Sequence, residues 1–288
     1  MESIEQLRLI CQSSRPSIFG DFLSQFYYKV SIYFTWCCLF IGMNANQVTV
    51  LSVIFALLGG VLISSDSHLL IVLGAIFFHV FAILDMSDGE VARYRGEGGV
   101  QGHYLDWFMH FITPTALAMG LFVSSYERLD SEWLVILGLI AVVSPVLSKS
   151  IQNAGWTVIS WTYMRDKKSN KINISDMKQK SKSAELLQQK SLPKFFRRIK
   201  FILLIPFEDR WSTLLILFLS IIGLAFSFLN IDFFNYRYIW LIYMGFIGPI
   251  YIIINVYKIT HSAALYDGYL RISDKDREIS FPEDDFLG

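Results

Sequence analysis

The stretch Asp85–His110, DMSDGEVARYRGEGGVQGHYLDWFMH, decides how the rest of the chain is read. Asp85, Asp88 and Asp106 stand beside or between long apolar runs, where a carboxylate is expensive unless it binds something. Asp85 and Asp88 are three residues apart and share one face of a helix. Asp106 and His110, four apart, do the same, with Gly102 one turn earlier. Two such faces brought together put three carboxylates and one imidazole at one point, and that many hard oxygen ligands suits Mg²⁺ or Mn²⁺. Acids at a membrane surface can simply mark helix ends, and a single Asp would carry no more than that. This spacing carries more, because Gly89, Ala92, Arg93 and Gly102 lie between the acids, and small residues beside carboxylates let a bulky ligand approach the backbone.

The composition around this stretch is that of a membrane protein. Hydrophobic residues make up 53% and charged residues 17% of the chain, against about a quarter charged in soluble domains. The formal net charge is zero, so no nucleic-acid partner is expected. The three cysteines, Cys11, Cys37 and Cys38, form no disulfide framework. The polar N-terminus shows no cleavable signal peptide. Six apolar stretches, at 46–65, 68–92, 103–125, 133–163, 211–230 and 236–260, are each long enough to cross a bilayer. As helices they satisfy their own backbone in lipid. The expected fold is therefore all-α and polytopic, with six transmembrane helices. Asn44–Asn46 and Asp66–Ser67 supply caps and turns, and Gly96, Gly98 and Gly99 turn the second span into the third.

The run Val30–Gly42 is too short to span, since about 20 residues are needed. Residues 18–42 are expected to form an interfacial amphipathic helix or helix pair, with one more tilted span as the competing reading. The chain thus divides into residues 1–45, a membrane domain at 46–261 and a tail at 262–288 that turns acidic after Ser273. The loop 165–200 holds twelve Lys or Arg against three acids. It reads as a positive-inside loop, or as a surface for anionic headgroups or nucleotide. Within it, residues 194–201 read as a basic amphipathic helix, which Pro206 separates from the fifth span. The loop near Ser65–His68 has no Lys or Arg, and 126–132 and 231–237 carry one basic residue each, Arg128 and Arg237. The positive-inside rule places both termini and Asp85–His110 in the cytoplasm, in an inner or plasma membrane.

The pattern Asp85, Asp88, Gly89, Ala92, Arg93, Gly102, Asp106 resembles the signature of the CDP-alcohol phosphotransferases (CDP-alcohol phosphatidyltransferases), D-x2-D-G-x2-A-R-x8-G-x3-D-x3-D, each residue at the family spacing. The last position departs from it, with His110 where the family usually has a fourth Asp. Asn46-Gln47-Val48-Thr49 is similar to the family's opening of its first span. The resemblance implies a membrane enzyme in which an acceptor hydroxyl of a lipid, polyol or sugar attacks the β-phosphorus of a CDP-alcohol and CMP leaves. It implies that Asp85, Asp88 and Asp106 hold one or two Mg²⁺ or Mn²⁺ ions. Gly89, Ala92 and Gly102 would leave room for the cytidine, and Arg93 would contact a phosphate or steady the aspartates. It also implies a homodimer among membrane lipids. His110 can be the base, a metal ligand, or a packing residue that marks loss of the family's usual activity.

Other polar groups fall at the same depth. Lys149, Gln152 and Asn153 sit in span four, and Asn255, Tyr257, Lys258 and His261 near the inner end of span six. Of these Lys149 is taken to bind an acceptor or donor phosphate, with snorkelling as its bland alternative. Glu90 is read as a partner of Arg93, its place after Gly89 also resembling the D-G-E variant of family branches that handle inositol phosphates, and His79 as a polar helix contact. The competing functions are a CDP-diacylglycerol-dependent phospholipid synthase of the same family, a non-catalytic relative that binds nucleotide or lipid, and a transporter. Transporter sites lie at mid-membrane on broken helices, whereas these acids cluster at one face.

Overall fold

The computed structural model describes residues 2–13, 22–97, 99–126, 131–169, 174–189, 209–229, 236–261, 266–270 and 272–273. Among them regular structure is helical, and the long elements are α1 (Ile4–Gln12), α2 (Phe22–Ile41), α3 (Ala45–Ile63), α4 (His68–Arg95), α5 (Val100–Ser125), α6 (Glu132–Lys168), α7 (Ile174–Gln189), α8 (Asp209–Phe228) and α9 (Tyr236–His261). Six of these, α3 to α6 with α8 and α9, are long and apolar enough to cross a bilayer. The chain is an all-α polytopic membrane protein, and its spans coincide with the six apolar stretches of the sequence. The expected basic helix at 194–201, Pro206, the loop residue Arg128 and the tail beyond Ser273 lie outside the described residues.

Packing divides the chain into two compact units. The first comprises Met1–Val146 and Leu204–Gly248, the second Leu147–Leu203 and Pro249–Gly288. In the first unit α4 is the central element, with α1, α2, α3 and α8 packed against it, and α3 joins it to α5. The start of α3 is fixed by a capping box: the Asn44 side chain accepts from the Gln47 amide at 2.9 Å, and the Gln47 side chain accepts from the Asn44 amide at 2.9 Å. Glycines then let the backbones touch, as at other small-residue helix contacts in membranes. A Cβ at Gly74 would lie 2.7 Å from the Gly59 carbonyl oxygen, and one at Gly60 would lie 2.6 Å from that of Ala116. The helix α4 ends at Gly96, whose φ of 66° is left-handed and whose amide donates to the Ala92 carbonyl. A side chain there would be strained. With α3 antiparallel to α4 and α5 to α4, the start of α3, the end of α4 and the start of α5 meet at one end of the unit.

The N-terminal helices close over that end. Over its described part the segment read at 18–42 is one continuous helix, α2, which is not among the six membrane-crossing candidates. It lies along α4 with Tyr27, Ser31 and Thr35 buried and Phe22, Phe26 and Phe40 exposed. Leu7 and Cys11 of α1 form a buried cluster with Ile32 of α2, against which Tyr94 packs.

In the second unit Ile159, Tyr163 and Tyr269 form the buried cluster. The Tyr163 and Tyr269 rings meet edge-on at 5.4 Å. The Tyr269 hydroxyl donates to Asp166 at 3.1 Å. Burial first, and this hydrogen bond second, push the Tyr269 phenol up to about 12. Asn255 donates to Ser148 at 2.7 Å, so this buried amide serves a helix contact.

Candidate active site

Where α3, α4 and α5 meet, a cavity of about 610 Å³ opens. It receives Asp85, Asp88, Gly89, Ala92 and Arg93 from α4, and Gly102, Asp106 and His110 from α5. Helical spacing thus does here what the sequence suggested, with two faces turned toward one space.

Asp85, Asp106 and His110 each bring one ligand atom within 4.8 Å of the other two. His110 Nε2 lies 3.6 Å from Asp106 Oδ1, one turn apart on α5. That distance is beyond a hydrogen bond and leaves the two groups able to share a third atom. Asp88 lies on the same cavity, only 8% exposed, and its Oδ2 accepts from the Thr49 hydroxyl at 2.6 Å. The residue that opens the first span therefore orients an acid of the second. The trio differs from the set expected from sequence: Asp88 stands beside it and His110 is in it.

The two glycines differ in the room around them. A Cβ on Gly102 would make only an ordinary 3.6 Å contact with Asn46 Oδ1, so packing within the chain does not demand glycine there. A Cβ on Gly89 would meet the end of the Arg93 guanidinium at 3.3 Å. Arg93 Nε donates to the Cys11 carbonyl at 2.6 Å, which ties the cavity to the end of α1. Lys149 belongs to the second unit. His79 meets the Tyr27 hydroxyl through Nδ1 at 2.5 Å.

Several cavity residues escaped the sequence reading: Tyr28 from α2, Asn44 at the start of α3, Glu97 in the turn, and Gln101 and His103 in the first turn of α5. Gln101 and His103 lie inside the decisive stretch and could have been found by drawing α5 as a helix. Tyr28 had no local signal, since its position depends on a contact between distant helices.

Residues 43–177 match the family model described as CDP-alcohol phosphatidyltransferase. The match holds the whole motif stretch with α3 to α6 and the start of α7, and leaves α1, α2, α8 and α9 outside. No curated protein matches the chain.

Proposed function

We propose that this chain, which carries a CDP-alcohol phosphatidyltransferase domain, is a membrane CDP-alcohol phosphotransferase that moves a phospho-alcohol or phosphatidyl group onto an acceptor hydroxyl and releases CMP. The observation that carries the reading is the convergence of Asp85, Asp106 and His110, with Asp88 beside them, in one cavity at the helix ends. Two carboxylates and an imidazole at this separation fit a divalent ion, and oxygen-rich donors favour Mg²⁺ or Mn²⁺. Such an ion would neutralise the pyrophosphate and stabilise the departing CMP oxygen.

The chain's own groups do the rest. Gly89, Ala92 and Gly102 leave space for the nucleotide against the backbone. Arg93 offers a guanidinium to a phosphate. The acceptor oxygen forms its bond to the β-phosphorus as the bond to the CMP oxygen breaks, and the acceptor's proton passes to His110. Thr49 and the turn of α5 hold Asp88 and Asp106 in place for that step. Lys149 is assigned to an acceptor or donor phosphate, and the protein to a homodimer.

The uneven distribution of basic residues supports a cytoplasmic position for the cavity and both termini, with α2 in the interface. A cysteine introduced at residue 67 or 130 should then react with an impermeant reagent added outside, and one at 170 or 280 should not. The reverse pattern would remove cytidine nucleotides from reach. The deciding experiment incubates the purified protein with a panel of CDP-alcohols and acceptors, with and without Mg²⁺ or Mn²⁺, and follows CMP. Release that needs both an acceptor and a divalent ion is expected. Nucleotide binding without release from any donor would make the chain a non-catalytic relative.

A further inference from the structure

We propose that Glu90 is a positioning residue, and that through it α1 and α2 hold Tyr28 and Arg93 at the active site. The inference rests on the transferase reading above. Glu90 follows Gly89 on α4, yet it is fully buried at 0% exposure, behind the cavity. Its Oε1 accepts from Gln12 Nε2 at 2.7 Å and from the Ser31 hydroxyl at 2.6 Å, and its Oε2 accepts from the Thr35 hydroxyl at 2.6 Å. A carboxylate can only accept, and burying one is costly unless donors replace the water it loses. All three donors come from α1 and α2, 78, 59 and 55 residues away.

The same donors lead on to the cavity. The Gln12 amide gives one hydrogen to Glu90 and the other to the Tyr28 carbonyl at 2.8 Å, while the Tyr28 hydroxyl donates back to the Gln12 carbonyl at 2.8 Å. Tyr28 lines the cavity. Cys11, next to Gln12, accepts from Arg93, another cavity residue. Gln12 is thus a joint held on one side by Glu90 and holding Tyr28 on the other. Removing the Glu90 carboxylate frees the joint, and with it both the aromatic wall and the backbone acceptor of Arg93.

Replacing Glu90 with Gln separates shape from loss. A Gln carbonyl in place of Oε1 still accepts from Gln12 and Ser31, and its amide can donate to the Thr35 oxygen, which accepts as well as donates. Replacing it with Ala removes every partner.

The test uses full-length parent, Glu90→Gln, Glu90→Ala, Tyr28→Ala and the Glu90→Ala/Tyr28→Ala double variant. It measures CMP affinity in Mg²⁺ and the steady-state kinetics of CMP release. Glu90→Ala is expected to weaken CMP binding and raise the donor KM by about 10- to 100-fold, as for other groups that orient ligand-binding residues, with kcat little changed. Glu90→Gln should restore most of that loss. The double variant should lose less than the two single losses combined, because both run through the Gln12 joint and only the part that reaches Arg93 by way of Cys11 is left to add. Additive losses in the double variant, or a fall in kcat with KM and CMP affinity unchanged, overturn the inference. If Glu90→Ala does not fold, Gln12→Ala and Thr35→Val each remove one donor and enter the same cycle with Tyr28→Ala. A parent that turns over while the cycle is additive refutes this inference alone. A parent that neither binds nor releases CMP refutes the transferase reading and this inference with it.

Discussion

Asp88 and Glu90 are two residues apart on α4, and both are acids removed from water, at 8% and 0% exposure. They belong to opposite regions. Asp88 lies on the cavity, where the start of α3 supplies the Thr49 hydroxyl. Glu90 lies behind it, with both oxygens engaged by Gln12, Ser31 and Thr35. Burial alone therefore does not mark a catalytic acid. What separates them is the space each oxygen faces: one borders a cavity with other ligand atoms, the other is enclosed by donors of its own chain. The front of the helix faces a cavity shared with Asp106 and His110, and the rear faces two helices of its own chain.

The sharpest way to break this contrast is at the front. Asp85→Asn and Asp106→Asn each take the negative charge from a member of the trio, and Asp88→Asn does the same to the acid beside it. CMP release should fall below detection, beyond the about 10²–10⁴-fold loss expected of a lone proton carrier. The proteins should still fold, because each side chain retains its shape. Turnover near that of the parent at ordinary Mg²⁺ would move the changed residue out of the front set.

His110 should come next. His110→Ala should cost about 10²–10⁴-fold in CMP release while leaving CMP affinity near the parent value, if the imidazole takes the acceptor's proton. His110→Asp puts a carboxylate where the signature that the stretch resembles ends in Asp, and should recover part of the rate. Joint loss of Mn²⁺ and CMP binding in His110→Ala would instead make the imidazole a ligand, as its place in the trio also allows. Unchanged rate and affinity would leave it a packing residue.

A smaller effect is expected one layer out, at Thr49. Thr49→Val keeps the shape and removes the donor to Asp88. Partners that orient metal-binding groups are worth about 10- to 100-fold in metal affinity. The Mg²⁺ or Mn²⁺ concentration for half-maximal CMP release should rise by that factor, and excess ion should recover the rate. A rate loss that no ion concentration relieves would show that Thr49 acts on something other than metal binding.

These residues also show what a sequence reveals and what it hides. The spans were legible because apolar length alone decides them. The front of the site was legible because its members sit three or four residues apart on two helices joined by a short turn. Even the departure at 110 fell on the cavity, since α5 continues as a helix through it. The rear was not legible. Glu90 has Arg93 one turn away in the chain, and that local pairing was the natural reading. Its hydrogen-bond partners Gln12, Ser31 and Thr35 lie far away in sequence and are ordinary polar residues in amphipathic stretches. No periodicity announces which distant helix will supply a donor. Tyr28 was hidden for the same reason.

The smallest expected effect reports on the rear directly. Burial first, and the Glu90 charge second, push the Cys11 thiol up to about 11 from its ordinary 9.0, while Arg93 pulls the other way. A raised thiol holds its proton longer in the folded state than in the unfolded one. The stability this contributes is complete below pH 9 and is lost as pH rises toward 11. The thiolate is the reactive form, so in a Cys37→Ser/Cys38→Ala background Cys11 should alkylate slowly at pH 8 and faster as the pH approaches 11. Glu90→Gln removes one cause of the shift while keeping α1 docked. Its alkylation should be faster than the parent's at pH 8, and the two rates should converge once both thiols are ionised. If Glu90 instead held α1 in place by its charge alone, Glu90→Gln would release the helix, and Cys11 would react faster at every pH with no convergence. Equal rates throughout would mean that the carboxylate acts on Cys11 too weakly for the rear network to be the coupled unit its hydrogen bonds describe.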